Sequence, residues 1–215
     1  MAGLYIGNSP IYAPYVGDVM AHSVYLGDTM VWKRDPESGT LTASATVTLY
    51  PYYRYLDLVG VGGGASGQTG SGATNTAGKG GDAGYWLGQT LVRGVDFPED
   101  ATSLVVSVGA ATGRAADSDL AASINGNPTT FTIAGVVVAT AAGGVGNPSS
   151  AKAGEGPYDF TFRGVTYTGG TNSSENAAGN APGGGGSGGS GGIFGSRTRG
   201  WEGARGQAWH VQRNI

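Results

Sequence analysis

Residues 183–195 read Gly183-Gly184-Gly185-Gly186-Ser187-Gly188-Gly189-Ser190-Gly191-Gly192-Ile193-Phe194-Gly195. Glycines 183, 186, 189, 192 and 195 are spaced by three, and Gly200, Gly203 and Gly206 resume the interval. The same spacing occurs at Gly64, Gly67, Gly70 and at Gly78, Gly81, Gly84. A period of three matches the left-handed extended helix of polyproline II geometry. Collagen shares that period but needs proline near 15–20%, and this chain has 9 prolines in 215 residues. The spacing therefore predicts polyglycine II-like tracts, stacked side by side.

Glycine in a regular element costs about 0.5–1 kcal/mol relative to alanine. Side-chain burial cannot offset this in tracts that have almost no side chains. The remaining source is the backbone, because chains without Cβ atoms approach closely and exchange amide and carbonyl groups. Gly183–Gly192 alone resembles a flexible Gly/Ser linker. The threefold spacing, the number of tracts and the apolar cap Ile193-Phe194 favour an ordered slab.

Between the tracts lie ordinary strands. Alternation over 41–49, with Thr42, Ser44, Thr46 and Thr48 on one side, predicts a strand that ends at Pro51. Tyr55–Val61, Leu104–Val108 and Gln207–Val211 are further candidates. Thr129–Ile133 and Val136–Ala139 read as a hairpin turning at Ala134-Gly135, and Tyr158–Phe162 with Val165–Tyr167 as another. Asp117–Ser123 is the sole stretch with helical character, and a weak one. The fold class is all-β.

Upstream, Tyr5-Ile6-Gly7-Asn8, Tyr15-Val16-Gly17-Asp18 and Tyr25-Leu26-Gly27-Asp28 recur every ten residues. Gly-Asn and Gly-Asp supply tight turns, so three short β-arms are predicted. They form either a meander within one chain or a segment completed by other copies or by a host platform. Lys33–Gly39 reads as a linker or wide turn over 33–40. Residues 1–34 thus form a β-repeat segment and 41–215 a glycine-rich β-domain.

Composition excludes several classes. The chain holds 43 glycines, and Leu, Ile, Val and Phe together number only 39, which argues against a helical bundle or an ordinary α/β enzyme. No cysteine is present, so disulfides and thiolate metal sites are ruled out. Charged residues make up 13% without a basic run, so no nucleic-acid footprint is evident. The start lacks the pattern of a signal peptide, and no apolar run approaches a membrane span.

Site motifs are weak. Gly62-Gly63-Gly64-Ala65-Ser66-Gly67 fits G-x-G-x-x-G, but Gln68-Thr69-Gly70-Ser71-Gly72 is a poor continuation as the helix a dinucleotide site needs. Gly78-Lys79 precedes Gly80 instead of the Ser or Thr of a phosphate loop. His22 and His210 lack partners in sequence and read as structural residues turned outward on strands. Asp117 and Asp119 sit in a loop-like stretch that would suit a weak Ca²⁺ or glycan contact, but they lack a calcium-loop signature. Asn172-Ser173-Ser174 is a formal glycosylation sequon. No catalytic, metal or cofactor site is expected. Aromatic residues beside turns bring large contact area at small entropy cost. Tyr85, Trp86, Tyr158, Tyr167 and Trp201 are the candidate receptor contacts. The competing reading has each of them capping the end of a glycine slab.

The order of motifs carries a resemblance. It runs from Leu56–Gly64 through Gly78–Tyr85, Val108-Gly109 and Asn127–Phe131 to Gly183–Gly192 and Gly203–Trp209. It resembles the glycine-rich domain of minor tail and fibre proteins of tailed bacteriophages, over residues 41–213. Tyr25–Trp32 is similar to attachment segments in tail proteins of phages infecting actinobacteria. Ala110-Ala111 departs from the glycine cluster more often found there. The resemblance implies a structural virion protein at the tail tip, made in the host cytoplasm and lacking catalysis. Its implied partners are other tail-tip proteins, two further copies in a homotrimer, and a bacterial cell-surface receptor or glycan. Two other classes compete: an ice-binding or cell-wall glycine-rich protein, and a cell-wall hydrolase, for which no carboxylate pair or triad is found.

Overall fold

The computed structural model describes residues 4–6, 9–11, 15–16, 19–21, 23–146 and 151–214, with side chains placed at 21 and from 23 onward. Among them there is no helix, and the fold is all-β. Three hairpins open the chain: β1 (Leu4–Ile6) with β2 (Ser9–Ile11), β3 (Tyr15–Val16) with β4 (Val19–Met20), and β5 (Ser23–Leu26) with β6 (Thr29–Lys33). Registers Ile6↔Ser9, Val16↔Val19 and Leu26↔Thr29 leave two-residue connections. Gly27 adopts φ +60°, as a tight hairpin turn requires. The turns at Gly7-Asn8 and Gly17-Asp18, and His22, lie outside the described residues.

Two antiparallel four-stranded sheets form a sandwich. The first has the order β10 (Trp86–Val92), β9 (Tyr55–Val61), β16 (Gln207–Arg213), β7 (Glu37–Leu41). The second has β13 (Val136–Ala141), β12 (Thr129–Ile133), β11 (Ser103–Ser107), β8 (Ala45–Thr48). Leu56, Leu58, Leu91 and Ala208 from the first sheet and Leu104, Val106, Phe131 and Ile133 from the second make the core. Gly60 leaves room for the Phe131 ring, which would stand 3.0 Å from a Cβ there.

Four expectations need correction. Residues 37–41 are an edge strand, because Glu37 to Leu41 pair with Gln212 to Ala208 of β16, so the linker reduces to 34–36. The strand expected over 41–49 is broken at 42–44, where the chain crosses from one sheet to the other. Tyr85-Trp86 reads as the close of a glycine tract, yet Trp86 opens a strand, Trp86–Val92, that pairs along all of β9. Its Gly88 accommodates Phe160 and Phe162 of the hairpin β14 (Phe160–Phe162)–β15 (Val165–Tyr167), which covers the outer face of the sheet. That cover explains why β9 is buried on both faces. Asp117–Ser123 holds a turn closed by Ala121 N–H to Ser118 C=O, not a helix.

The strands run directly into extended glycine runs. Residues 62–72 leave β9 and donate to three neighbours in rotation. Gly64, Gly67 and Gly70 donate to Ala204, Trp201 and Thr198. Ala65, Gln68 and Ser71 donate to Asp82, Lys79 and Thr76, and Gly63, Ser66 and Thr69 to Asn127, Ile124 and Ala121. All nine bonds measure 2.8–3.1 Å. One neighbour per residue, repeating every third, is the signature of a threefold helix with lateral bonds. Run 183–192 lies parallel to it, with Gly186, Gly189 and Gly192 donating to Ala65, Gln68 and Ser71.

Close packing explains which positions are glycine. A Cβ on Gly185, Gly188 or Gly191 would collide with backbone of Gly81, Gly78 or Asn75-Thr76, and one on Gly186, Gly189 or Gly192 with Trp201, Thr198 or Ser196. The third column holds Ser187 and Ser190, whose hydroxyls bond the neighbouring run at Ala177 N and Asn176 Oδ1. Hence the alternation of two glycines and a serine. Ala110 and Ala111 are exposed, which is why methyl groups are tolerated there.

Candidate functional site

The aromatic candidates do not form one site. Trp86 stacks between Phe160 (5.3 Å, 14°) and Trp209 (5.6 Å, 25°), and Tyr167 meets Trp209 edge-on at 5.2 Å. The Trp86 indole N–H donates to the carbonyls of Pro157 and Tyr158, 3.1 Å each. Tyr167 is 9% exposed, and burial raises its phenol pKa. This cluster seals the junction between sandwich and bundle. Tyr85 and Tyr158 are about half exposed beside it. The Tyr85 hydroxyl donates to Asp82 at 3.1 Å, and that bond raises its pKa. Trp201 lies on a different run, under the Arg114 guanidinium at 4.3 Å.

The far end of the bundle brings the apolar pair Ile193-Phe194 together with the loop carboxylates Asp117 and Asp119. Run 183–192 ends at the turn Ile193-Phe194-Gly195. Phe194 is 99% exposed with φ +53°, a left-handed conformation rare for a bulky residue. Ile193 and Leu120 are exposed at the same end. The turn is braced on both sides. Gly192 and Gly195 donate to Ser71 and Gly72, and Ser196 Oγ donates to the Ile193 carbonyl at 2.7 Å. Arg197 reaches across to Asp119 Oδ1 at 3.1 Å and the Asp117 carbonyl at 2.8 Å. Asp119 Oδ1 also accepts from Gly72 N–H. Gly72, Ala73, Asp119, Ile193, Phe194 and Gly195 enclose a shallow recess of about 460 Å³. Sequence patterning gave this end two signals, the apolar pair Ile193-Phe194 after a glycine run and the loop carboxylates Asp117 and Asp119.

The base, at the other end of β9, is different in kind. Tyr50, Tyr52 and Tyr53 pack together. Arg34 lies over Tyr52 at 4.1 Å and Trp32 at 5.5 Å, and the Tyr53 hydroxyl donates to the Asp35 carbonyl at 2.7 Å. These contacts tie the hairpin β5–β6 to the sandwich.

Chemistry-bearing groups elsewhere are engaged. The amides of Gly63, Gly64 and Gly67 go to neighbouring carbonyls, so the G-x-G-x-x-G stretch offers no phosphate cradle. His210 is not turned outward. It is buried over Gly39 with Nδ1 3.7 Å from Glu37, and burial lowers its pKa while Glu37 opposes the shift. Asn172 Oδ1 accepts from Gly156 N–H, and Ser173 is buried. Among the described residues no three metal-ligating side chains converge, and no helix is long and apolar enough to cross a membrane.

Residues 38–158 match the model of a family described as "Glycine-rich domain". The chain is 35% identical over 226 residues to the "Gene 32 protein" of Mycobacterium phage D29, covering 98% of this chain and 99% of that one. It is 39% identical over 197 residues to the "Gene 32 protein" of Mycobacterium phage L5, covering 86% of each. Backbone-bonded glycine runs, a β-sandwich and these matches agree, and the chain belongs to the glycine-rich domain family, together with the Gene 32 proteins of mycobacteriophages.

Proposed function

We infer that this chain is a structural protein of the phage tail tip, held to the tail by its N-terminal hairpins and contacting the host surface with the far end of its glycine bundle. The observation that carries the reading is the separation of the two ends. Arg34, Trp32 and Tyr52 fix the hairpin β5–β6 at the base, whereas Phe194 lies beyond Gly72. Strand β9 at about 3.3 Å per residue and run 62–72 at about 3.1 Å together span roughly 55 Å. A stiff spacer with a docking segment at one end and braced loops at the other suits an adhesin.

Two-stranded hairpins are marginal on their own. Tyr25, Leu26 and Met30 of β5 and β6 are exposed. A tail partner and two further copies in a trimer would cover such surfaces. Immunogold labelling of intact virions is expected to mark the tail tip, and light scattering of the purified chain a trimer. Label confined to the capsid, or its absence from virions, would exclude the tail role, and a stable monomer would exclude the trimer.

A catalytic role finds little support. Lys152 Nζ lies 3.1 Å from Ser190 Oγ, yet it also pairs with Glu175 at 3.3 Å, so it donates to the hydroxyl and is not placed to take its proton. The ice-binding alternative has one observation in its favour. Thr46, Val105, Thr132 and Val137 stand abreast on the outer face of the second sheet. A thermal-hysteresis measurement on the purified chain tests it.

A further inference from the structure

We propose that the recess beside Phe194 binds one sugar ring of the host surface, neutral or amine-bearing, with its C–H face on the phenyl ring and a hydroxyl or ammonium group on Asp119. The inference rests on the adhesive reading above and assigns it a place and a ligand class.

Phe194 gains nothing for the fold. Its ring is 99% exposed, and its backbone occupies a conformation that suits glycine. Its turn is nonetheless fixed by Ser71, Gly72, Ser196 and the Arg197–Asp119 contact. A braced turn that holds an aromatic residue out in solvent, against local preference, presents it to a partner.

The lining selects the partner. Phe194, Ile193 and Ala73 supply apolar surface, and the Asp119 carboxylate the one formal charge. Arg197 engages Asp119 Oδ1, and the other carboxylate oxygen carries no further contact of that pair. Arg197 offsets only one of the two carboxylates Asp117 and Asp119, so this end stays net negative and would repel a phosphate or carboxylate ligand. A purely apolar ligand would strip it of water without replacing its hydrogen bonds. A sugar satisfies both halves, since its axial C–H face is apolar and its hydroxyls donate. The volume of about 460 Å³ falls in the range of small-molecule sites.

The test uses fluorescently labelled full-length chain on intact host cells. Phe194→Gly relieves the backbone and should leave the melting temperature unchanged or slightly raised. Asp119→Asn keeps an acceptor for Gly72 and removes the charge. Each is expected to weaken cell binding by about tenfold or more. Periodate oxidation of the cells should abolish binding of the unmodified chain, and protease treatment should not. Full binding by folded Phe194→Gly, or loss on protease treatment alone, would overturn the sugar site while leaving the adhesive role standing. Failure of the unmodified chain to bind host cells at all would remove the adhesive role itself.

Discussion

A methyl group on Gly67 would overlap the carbonyl oxygen of Ser187. The two residues lie on adjacent parallel runs whose backbones touch, and the same relation joins Gly64 to Gly184 and Gly70 to Ser190. Stability therefore resides in backbone contact, and one added carbon at such a position separates two runs. Gly67→Ala is expected to destabilise the chain by about 3 kcal/mol or more. Gly113 has nothing within 4 Å of its Cβ direction, so Gly113→Ala should stay within about 1 kcal/mol of the parent. Thermal melting of both variants decides the matter, and equal melting temperatures would refute the packing argument.

Asp57 anchors the outer face of the first sheet. Its carboxylate accepts from Arg213 at 2.6 and 3.0 Å and from Thr90 Oγ1 at 2.6 Å, and the pair is almost fully buried. Asp57→Ala leaves the Arg213 guanidinium without its main partner. The expected loss is about 3–5 kcal/mol, read from urea unfolding.

His210 should make stability pH-dependent. Burial holds the folded imidazole below its usual value of 6.5, with Glu37 acting in the opposite direction. The unfolded chain therefore takes up the proton first. This contribution is fully present above about pH 6.5 and is lost as pH falls from there toward the folded value. His210→Gln should flatten the profile between about pH 7 and 5 relative to the parent, by at most about 1.4 kcal/mol per pH unit. Parallel profiles would show that the imidazole is not the titrating group.

The hairpin β14–β15 is held by aromatic stacking on Trp86 and Trp209. Trp86→Ala should cost about 3–5 kcal/mol and collapse the near-ultraviolet circular dichroism while glycine-run order persists. Retention of that signal would place the aromatic packing elsewhere.

Arg34→Ala removes the stack on Tyr52 and Trp32. Limited proteolysis should then cut at 33–36 several times faster, releasing the hairpin segment with the sandwich intact. An unchanged cleavage rate would mean that the β7–β16 pairing alone secures the joint.

Sequence by itself determined the all-β class, the three ten-residue hairpins and the threefold glycine runs. Each is a local periodicity, and local periodicity dictates backbone conformation. It could not say which run touches which, because lateral bonds join residues more than a hundred positions apart, such as Gly67 and Trp201. Tertiary structure decided the rest. Gly39 reads as part of a linker and Gly88 carries no strand signal, yet each sits in a strand because His210 or Phe162 fills the space of its missing side chain. Tyr167 and Trp86 read either as receptor contacts or as caps of a glycine slab, and only the fold stacks them on Trp209. Phe194, the second of two apolar letters after a glycine run, becomes exposed at the far end of the bundle only because that run lies parallel to 62–72 and stops beside Gly72.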